Sequence, residues 1–309
     1  MVTARTWLIT GARGFLGTNA GAALTGRVDL VGQARQSAPS TLYREIVGLD
    51  LRDPEPLDDL IRRVRPAVIV NAAAISGHET CANDPDQAWA VNVTATQRMA
   101  RAAADIGSTF VHISTDAVFS GATGDYREDD SVEPFSVYGE TKLAGEEAVR
   151  SALEQHLILR TNFFGWSETG RKSVLEFFVN ALRGNEHING YPDFIVTSLY
   201  VPSLVETIWQ LVERHERGTF HVASRDALSK YDFGVEVARR FGLDESLIAR
   251  LGPTPGTHAT SRSRDLSLNT DRIAAVLANP MQSQAEGIAQ AYDDESTVGG
   301  RVRRSGIQA

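Results

Sequence analysis

The sequence has a single cysteine, Cys81, among its 309 residues. One cysteine cannot form an internal disulfide or a multi-cysteine zinc cluster, and this usage fits a reducing compartment, so we expect a cytoplasmic protein without a metal site. No apolar run approaches the roughly 18 to 20 residues of a membrane span. Residues 1–10 run into a predicted strand rather than a signal-peptide pattern. We therefore expect neither membrane insertion nor secretion.

Positive charge is also scarce. The 39 acidic residues outnumber the 31 basic ones, which gives a formal net charge of −8. Nucleic-acid-binding proteins usually carry a basic surface, so we expect no nucleic-acid partner. A phosphate-bearing ligand is still allowed, because loops and helix ends bind phosphate locally. With 42% hydrophobic residues the chain is long enough to bury a sizeable core in one or two domains.

A glycine-rich motif lies between the first predicted strand, residues 7–9, and a small-residue helix predicted over residues 18–24. Glycines three residues apart let the backbone turn tightly, approach a pyrophosphate and pack the helix on the sheet. A glycine-rich turn without a ligand is the alternative, but the position directly after the first strand favours dinucleotide binding. The predicted cofactor contacts are Gly11, Arg13, Gly14, Phe15, Leu16 and Gly17.

The second predicted strand, residues 28–33, is followed by Arg35. An NAD site usually has an acid here for the ribose 2′-hydroxyl, whereas an arginine suits a 2′-phosphate. Arg35, supported by Arg13, therefore predicts NADPH as the cofactor, with NADH as the alternative. Both arginines being merely solvated is the other interpretation.

Further apolar strands at residues 45–49, 67–71 and 109–114 alternate with helices at 54–64 and 84–105. This pattern predicts an α/β fold with a Rossmann-type, doubly wound parallel sheet, whose strand ends bind ligands. The small residues Ala72, Ala73 and Ala74 would let a cofactor lie close to the backbone. We expect a Rossmann domain over residues 1–165 with contributions from later segments, a smaller substrate-binding lobe over 166–290, and a flexible tail over 295–309.

Tyr138 and Lys142 stand one turn apart if residues 138–152 form a helix, as the spacing of apolar residues there predicts. A phenol has a pKa near 10, and an ammonium one turn away is expected to lower that pKa towards the range of efficient acid–base catalysis. Thr115, which follows the apolar run 109–113, would hold the reacting oxygen. The alternative is a packed tyrosine and a solvated lysine.

These motifs together resemble the extended short-chain dehydrogenase/reductases, and within them the dTDP-4-dehydrorhamnose reductase group. The resemblance covers roughly residues 5–275. It rests on TGxxGxxG at 10–17, Asp50 with Asp53, NAAA at 71–74, Val91-Asn92, STDAVF at 114–119 and YGETKLAGE at 138–146. It implies NADPH-dependent reduction of the 4-keto group of a nucleotide-linked, dTDP-type 4-keto-6-deoxysugar.

The resemblance also implies residue roles. Tyr138 would donate a proton to the C4 oxygen, Lys142 would assist it and bind the nicotinamide ribose, and Thr115 would hydrogen-bond the same oxygen. The further cofactor contacts are Asp50, Leu51, Asn92, Ser114 and Thr161, in addition to Tyr138 and Lys142. The substrate contacts are Thr115, Asp116, Phe119, Asn162 and Arg262, the last in a loop that is either a diphosphate clamp or a basic surface loop.

Two sequence features narrow what the resemblance implies. Ala117 stands where related 4,6-dehydratases have an acid, so dehydration is not expected. His78 and Glu79 depart from the reductase pattern and either meet a different sugar or form a surface loop.

An epimerase and a non-catalytic NADP-binding regulatory subunit are the alternative functions. The apolar helix predicted over 171–183 has aromatic residues that belong to the core or to a subunit contact, which leaves a homodimer open.

Overall fold

A computed structural model describes residues 5–252 and 265–304. The strands in these ranges are β1 Thr6–Thr10, β2 Asp29–Ala34, β3 Glu45–Gly48, β4 Val68–Asn71, β5 Thr109–Thr115, β6 His156–Thr161, β7 Phe163–Phe164, β8 Ile188–Gly190, β9 Ile195–Val196, β10 Leu199–Tyr200, β11 Gly218–His221, β12 Leu228–Ser229 and β13 Ile248–Arg250. Seven of them form the central sheet in the order β11–β6–β5–β4–β1–β2–β3, and every neighbouring pair is parallel. The order reverses between β1 and β4, so the predicted doubly wound Rossmann-type sheet is confirmed.

Helices cover both faces of this sheet. They are α1 Phe15–Leu24, α2 Pro54–Val64, α3 His78–Asn83, α4 Pro85–Trp89, α5 Thr96–Ile106, α6 Val137–Ala152, α7 Val174–Arg183, α8 Val201–Glu213, α9 Lys230–Phe241, α10 Asp271–Leu277, α11 Gln284–Asp293 and α12 Val298–Arg304. Short 3₁₀ turns lie at Asp116–Val118 and Glu245–Leu247. The single helix predicted over 84–105 is divided, because a π-helical turn, Ala90–Ala95, separates α4 from α5.

The sheet is buried on both sides, which explains why its strands are apolar throughout. Leu8, Val31 and Ile69 face one layer of core, and Ile9, Val70 and Val111 face the other. Segments from the second half of the chain complete the second layer, since α8 packs there and β11 pairs with β6.

A separate apolar cluster lies in the second half. It contains Phe164, Trp166, Phe178, Phe233 and Ile288. These residues pack α7, α9 and α11 against each other and against the short strands β7, β8, β10 and β13. The small sheets pair β7 with β10 and β8 with β13 in parallel, and β9 with β12 antiparallel. This arrangement places a second, smaller core beside the carboxyl ends of the main strands.

The flexible tail predicted from residue 295 is wrong for the described part of that segment. Val298–Arg304 forms α12, and Val302 is fully buried in the same cluster as α1 and α8. Glu295, before the helix, makes a two-pronged ion pair with Arg183 at 2.7 and 2.8 Å. The segment is rich in Ser, Gly and Arg, but it is docked by the buried valine, by the ion pair and by a hydrogen bond from Arg301 to the Ala22 carbonyl at 3.2 Å. Residues 305–309 lie outside the described residues.

Candidate functional site

The glycine loop between β1 and α1 has no room for side chains. Gly11 has φ +66°, and a Cβ there would lie 3.0 Å from Ala73 Cα. A Cβ on Gly17 would lie 2.2 Å from the Gly11 carbonyl oxygen, and one on Gly14 would lie 2.9 Å from it. The Gly14 amide donates to that same oxygen at 2.7 Å. These contacts fix a tight turn that brings bare backbone to the edge of the sheet, as a pyrophosphate site requires.

Helix α1 begins directly after this turn, with Gly14 as its N-cap. A glycine has no side chain to accept the amides of the first turn, so those amides and the positive end of the helix are free for an anion. Leu16 is buried in the core and offers only its backbone. The Phe15 ring packs at 5.4 Å from the Phe163 ring. The predicted loop contacts therefore lie together at the ends of β1 and β4.

The residues predicted to contact the adenosine half of the cofactor differ in their surroundings. Arg35 is exposed at the end of β2 and its charge lowers the pKa of Asp50. Asp50 accepts from the Arg52 guanidinium at 2.6 and 3.0 Å, and this hydrogen bonding is the main reason that its pKa is low. Arg13 lies 3.6 Å from Glu168 instead of beside Arg35. Leu51 is buried. Arg35 is thus the cation at this strand end, and Arg13 is oriented towards the second half of the chain.

The catalytic candidates Thr115 and Tyr138 come together where β5 meets α6. Ser136 caps α6 by accepting from the Gly139 amide at 3.2 Å. A Cβ on Gly139 would lie 2.2 Å from the Ala117 carbonyl oxygen, so glycine allows the helix to touch the end of β5. The hydroxyl of Thr115 donates to Asp116 Oδ1 at 2.9 Å and lies close enough to the Tyr138 phenol to lower its pKa. The structure therefore places the sequence-predicted pair side by side.

The expected effect of Lys142 on Tyr138 is wrong. Burial of the phenol raises the pKa of Tyr138, the hydrogen bond with Thr115 opposes that rise, and the charge of Asp116 adds to it. Lys142 is not among the groups that shift this pKa. Lys142 is itself buried, and burial lowers its own pKa to about 8 although the charge of Glu146 opposes the change. The Lys142 Nζ lies 3.4 Å from His112 Nε2.

Three predicted cofactor residues differ in what their side chains bind. Asn92, in the π-helical turn, accepts from the Ile75 amide at 2.9 Å and donates to Thr141 Oγ1 at 3.0 Å, so its carboxamide holds the loop after β4 against α6. Ser114 Oγ donates to Glu146 Oε1 at 2.5 Å. Thr161 Oγ1 is buried at the end of β6 and has no hydrogen-bond partner among the described residues. Asn92 and Ser114 thus use their side chains for hydrogen bonds within the protein. Thr161 Oγ1 is a buried polar atom to which a ligand could hydrogen-bond.

The Glu146 carboxylate is the centre of a buried ion cluster. It accepts from Arg160 Nε at 3.0 Å and Nη2 at 2.9 Å, and from Arg150 Nη2 at 2.7 Å. The side chains of Glu146 and Arg160 are 0% and 3% exposed. Burial alone would raise the pKa of Glu146, but the hydrogen bonds and charge of Arg160, together with Ser114 and Arg150, lower it. This cluster joins β5, α6 and β6 just below the catalytic candidates.

On the predicted substrate side, Asp116 and Asn162 lie together. Asn162 Nδ2 donates to Asp116 Oδ2 at 2.9 Å, and Ser198 Oγ donates to Asn162 Oδ1 at 3.0 Å. Burial raises the pKa of Asp116 despite the hydrogen bonds from Asn162 and Thr115. The side chain of Arg262 lies outside the described residues.

The prediction that Phe119 contacts the substrate is wrong. Its side chain is 0% exposed. It stacks on Tyr126 at 4.3 Å, meets His221 edge-on at 5.6 Å, and lies 5.1 Å from the Arg160 guanidinium. The residue follows the strand that carries Thr115, but the 3₁₀ turn at Asp116–Val118 directs it into the core instead of the site.

His78, which the sequence left between a sugar contact and a surface loop, lies beside Tyr138. The two rings meet edge-on at 5.2 Å, and the imidazole also stacks on Phe135 at 5.9 Å. His78 starts α3, whose Cys81 Sγ donates to the Ile75 carbonyl at 3.3 Å. Glu79 is exposed. The loop after β4 therefore supplies one aromatic wall next to the reactive phenol.

The comparisons with known proteins agree with this geometry. The sequence model described as the RmlD substrate binding domain matches residues 5–297. The chain belongs to the RmlD family. A dTDP-4-dehydrorhamnose reductase of Escherichia coli is 41% identical over 263 residues, which span 81% of this chain and 86% of that protein. A probable low-salt glycan biosynthesis reductase of Haloferax volcanii is 31% identical over 78% of this chain and 81% of its own.

Solved structures share the fold. A dTDP-4-dehydrorhamnose reductase from Bacillus anthracis in complex with NADP superposes with a TM-score of 0.84 at 22% identity, and covers 95% of this chain and 99% of that one. This RmlD-family chain therefore has the extended reductase architecture that its motifs predicted.

The RmlD-family site contains a contact between three strands that the sequence did not reveal. Thr10, Asn71 and His112 lie side by side on β1, β4 and β5, because Thr10 pairs with Asn71 and Asn71 pairs with His112. Each is a buried polar residue in a largely apolar strand. That pattern, once the strand register is known, is the signal that would have found them.

In the described part of this RmlD-family chain, none of the helices is both long and apolar enough to span a bilayer. The described residues also contain no group of three or more His, Cys, Asp and Glu side chains placed to hold a metal ion. The expected cytoplasmic location, the absence of a nucleic-acid partner and the homodimer remain predictions.

Proposed function

We propose that this RmlD-family chain is an NADPH-dependent reductase of the 4-keto group of a nucleotide-linked 4-keto-6-deoxysugar, with a dTDP-linked sugar as the first candidate. The single observation that carries the proposal is the placement of Thr115, at the end of β5, beside Tyr138, which lies one helical turn from Lys142 at the carboxyl edge of a dinucleotide-type sheet. The family membership and the reductase activity in the names of its relatives support it.

The described residues fit a dinucleotide. The glycine turn has no space for Cβ atoms, α1 begins at an uncapped glycine, and Thr161 Oγ1 is a buried atom without a partner among the described residues. Arg35 at the end of β2 suits a 2′-phosphate, which favours NADPH over NADH. Bound reduced nicotinamide supplies the hydride for the reaction.

The chain's own residues handle the proton. A phenol with a pKa near 10 is protonated at neutral pH, which is the form a proton donor needs, and burial raises the pKa of Tyr138 further. Thr115 lies beside the phenol, and its hydroxyl, which donates to Asp116 in this structure, would turn to donate to the substrate's carbonyl oxygen and hold it against the Tyr138 hydroxyl. Holding both reactants in this geometry lowers the barrier by up to ~7 to 11 kcal/mol, and the positioned acid adds about 10²- to 10⁴-fold in rate.

The sugar is proposed to lie between the strand ends and the loop after β4. Asp116 and Asn162 offer oxygen and nitrogen atoms on one side. His78 and Phe135 offer aromatic faces on the other, beside the Tyr138 ring. Ala117 carries no acid for a second proton transfer, which is why reduction is proposed and dehydration is not.

The test is NADPH oxidation, followed by absorbance, with a dTDP-4-keto-6-deoxyhexose as substrate and NADH in parallel. The account predicts oxidation that favours NADPH and that falls by at least about 10²-fold in Tyr138→Phe, since the variant has no proton to donate. Tyr292→Phe is the matched control, because Tyr292 is exposed and distant in the chain. Near wild-type turnover in Tyr138→Phe would remove the assigned role.

The same assay separates the alternatives. An epimerase returns its hydride, so it would form a new sugar without net NADPH consumption. A regulatory subunit would bind NADPH and change no sugar. Either result would overturn the reductase proposal and leave the fold and the cofactor site intact.

A further inference from the structure

Lys142 is connected to the interior of the sheet by a chain of neutral polar side chains. Thr10, Asn71 and His112 occupy adjacent positions on three neighbouring strands and are 0%, 1% and 0% exposed. His112 then reaches Lys142 on α6, with Nε2 and Nζ 3.4 Å apart. A polar chain in a buried sheet must satisfy each of its donors and acceptors internally, so the direction of every hydrogen bond can be followed.

The direction begins at the glycine turn. The Ala73 amide donates to Thr10 Oγ1 at 3.1 Å, and the Thr10 hydroxyl donates to Asn71 Oδ1 at 2.9 Å. The carboxamide oxygen of Asn71 therefore faces Thr10, and its nitrogen faces the other way. Asn71 Nδ2 donates to Thr96 Oγ1 at 2.9 Å and lies 3.2 Å from His112 Nδ1. In this orientation His112 Nδ1 is the acceptor.

A neutral imidazole has one N–H group. Burial, followed by the charges of Lys142 and Arg150, lowers the pKa of His112 well below its usual value, so the ring is neutral. With Nδ1 accepting from Asn71, the hydrogen is on Nε2, the atom that faces Lys142. An N–H group can donate a hydrogen bond to the lone pair of a neutral amine. An ammonium has no lone pair, so its hydrogens would instead repel the N–H group.

We propose that His112 is a positioning residue that stabilises the unprotonated amine of Lys142 and fixes the place of its nitrogen. The proposal rests on the proposed function only for the catalytic role of Lys142. In this arrangement Lys142 exchanges its proton near neutral pH, so it is suited to release or take up a proton beside Tyr138.

The ionisable groups around this contact are few. On α6, Glu146 favours the ammonium of Lys142, and Arg150 disfavours a charged His112. From β6, Arg160 acts through its ion pair with Glu146. From the π-helical turn and α5, Asn92 and Thr96 are uncharged. Gly145 permits the close approach of α6, because a Cβ there would lie 3.3 Å from His112 Nε2.

The sequence makes a direct measurement practical. It contains only three lysines, Lys142, Lys172 and Lys230. Protein labelled with ¹³C at lysine Cε therefore gives three NMR signals whose shifts report the protonation of each side chain. A Lys142→Arg variant assigns the signal of interest. The titration needs no substrate and no turnover, so its failure is distinguishable from failure of the proposed reductase activity.

The informative variant is His112→Gln. The glutamine carboxamide can turn its oxygen towards Lys142, which replaces a donor by an acceptor and favours the ammonium. We expect the titration midpoint of Lys142 to rise by about one pH unit or more, a tenfold change in proton affinity. His156→Gln, at the far end of β6 with its ring nitrogen bonded to the Leu153 carbonyl, is the matched control and should leave the midpoint unchanged.

A second variant keeps the proposal testable if His112→Gln does not fold. Thr10→Val keeps the shape of a β-branched side chain but removes the hydroxyl that orients Asn71, so the carboxamide can rotate and reverse the chain. The midpoint of Lys142 should then rise by a smaller amount. A midpoint that stays at the wild-type value or falls in the folded variant would overturn the proposal.

Discussion

Two consecutive segments of α6, residues 138–142 and 146–150, use burial in opposite ways. The first segment carries Tyr138 and Lys142, and the second carries Glu146 and Arg150. Glu146 is fully buried but receives four hydrogen bonds, from Ser114, Arg150 and two nitrogens of Arg160. Lys142 is also buried, and among the described residues the side chain at hydrogen-bond distance from its Nζ is the neutral His112.

The pKa values follow from this difference. The Glu146 carboxylate stays ionised, because its partners lower a pKa that burial alone would raise. The Lys142 ammonium has the charge of Glu146 nearby but no direct ion pair among the described residues, and burial lowers its pKa to about 8. A compensated buried charge holds elements together, whereas an uncompensated one is poised to change its protonation state. The segment 146–150 thus supports the fold, and the segment 138–142 supports the chemistry.

Removing the buried carboxylate of Glu146 should have the largest effect on stability. Glu146→Gln leaves Arg160 buried without its carboxylate, so the free energy of unfolding should fall by about 3 to 5 kcal/mol. Chemical denaturation with wild-type and variant protein measures the loss. Glu147→Gln, on the exposed face of the same helix, is the matched control and should change stability by less than about 0.5 kcal/mol. Equal stability of the two variants would contradict the comparison.

Removing the uncompensated charge should have the opposite sign. Lys142→Met abolishes catalysis but should raise the free energy of unfolding at pH 7 by an amount of order 1 to 3 kcal/mol. The folded-state pKa of Lys142, about 8, lies below the usual 10.5, so the unfolded state binds more protons between these values. Wild-type stability therefore rises with pH across this window, and the advantage of the Met variant should shrink. An advantage that grows from pH 8 to 10 would refute this account.

The smallest expected change in stability comes from removing one neutral hydrogen-bond donor of the ion cluster. Ser114→Ala removes one of the four hydrogen bonds to Glu146 and leaves both arginines in place. Stability should fall by about 1 kcal/mol, measured as a shift in the denaturation midpoint without a change in slope. Ser151→Ala on the exposed end of α6 is the control, because its hydroxyl donates only to the Glu147 carbonyl of its own helix.

Much of the fold followed from local pattern. The helix predicted over 54–64 has these same bounds in the structure, because Pro54 opens it and Arg65, in the left-handed conformation, ends it. The parallel sheet followed from apolar strands that alternate with helices. The site motifs were found for the same reason: the glycine turn and the Tyr138–Lys142 spacing are local in sequence.

What the sequence missed depends on distant contacts. Phe119 follows Thr115 by four residues, but only the packing of Tyr126 and His221 shows that it points into the core. The pKa of Tyr138 was expected to fall, because the sequence spacing shows that Lys142 is near the phenol but does not show that the phenol is buried. The chain from Thr10 to His112 becomes visible only when the register of three strands is known.

The central claim is that this chain transfers a hydride to C4 of a keto sugar while Tyr138 supplies the proton. The most direct measurement uses NADPH labelled with deuterium at the transferred position of the nicotinamide and a dTDP-4-keto-6-deoxyhexose, with the product examined by mass spectrometry and NMR. The account predicts one deuterium at C4 of the product for each NADPH oxidised, and loss of this product in Tyr138→Phe. An isomerised sugar without deuterium, formed without NADPH oxidation, would contradict it.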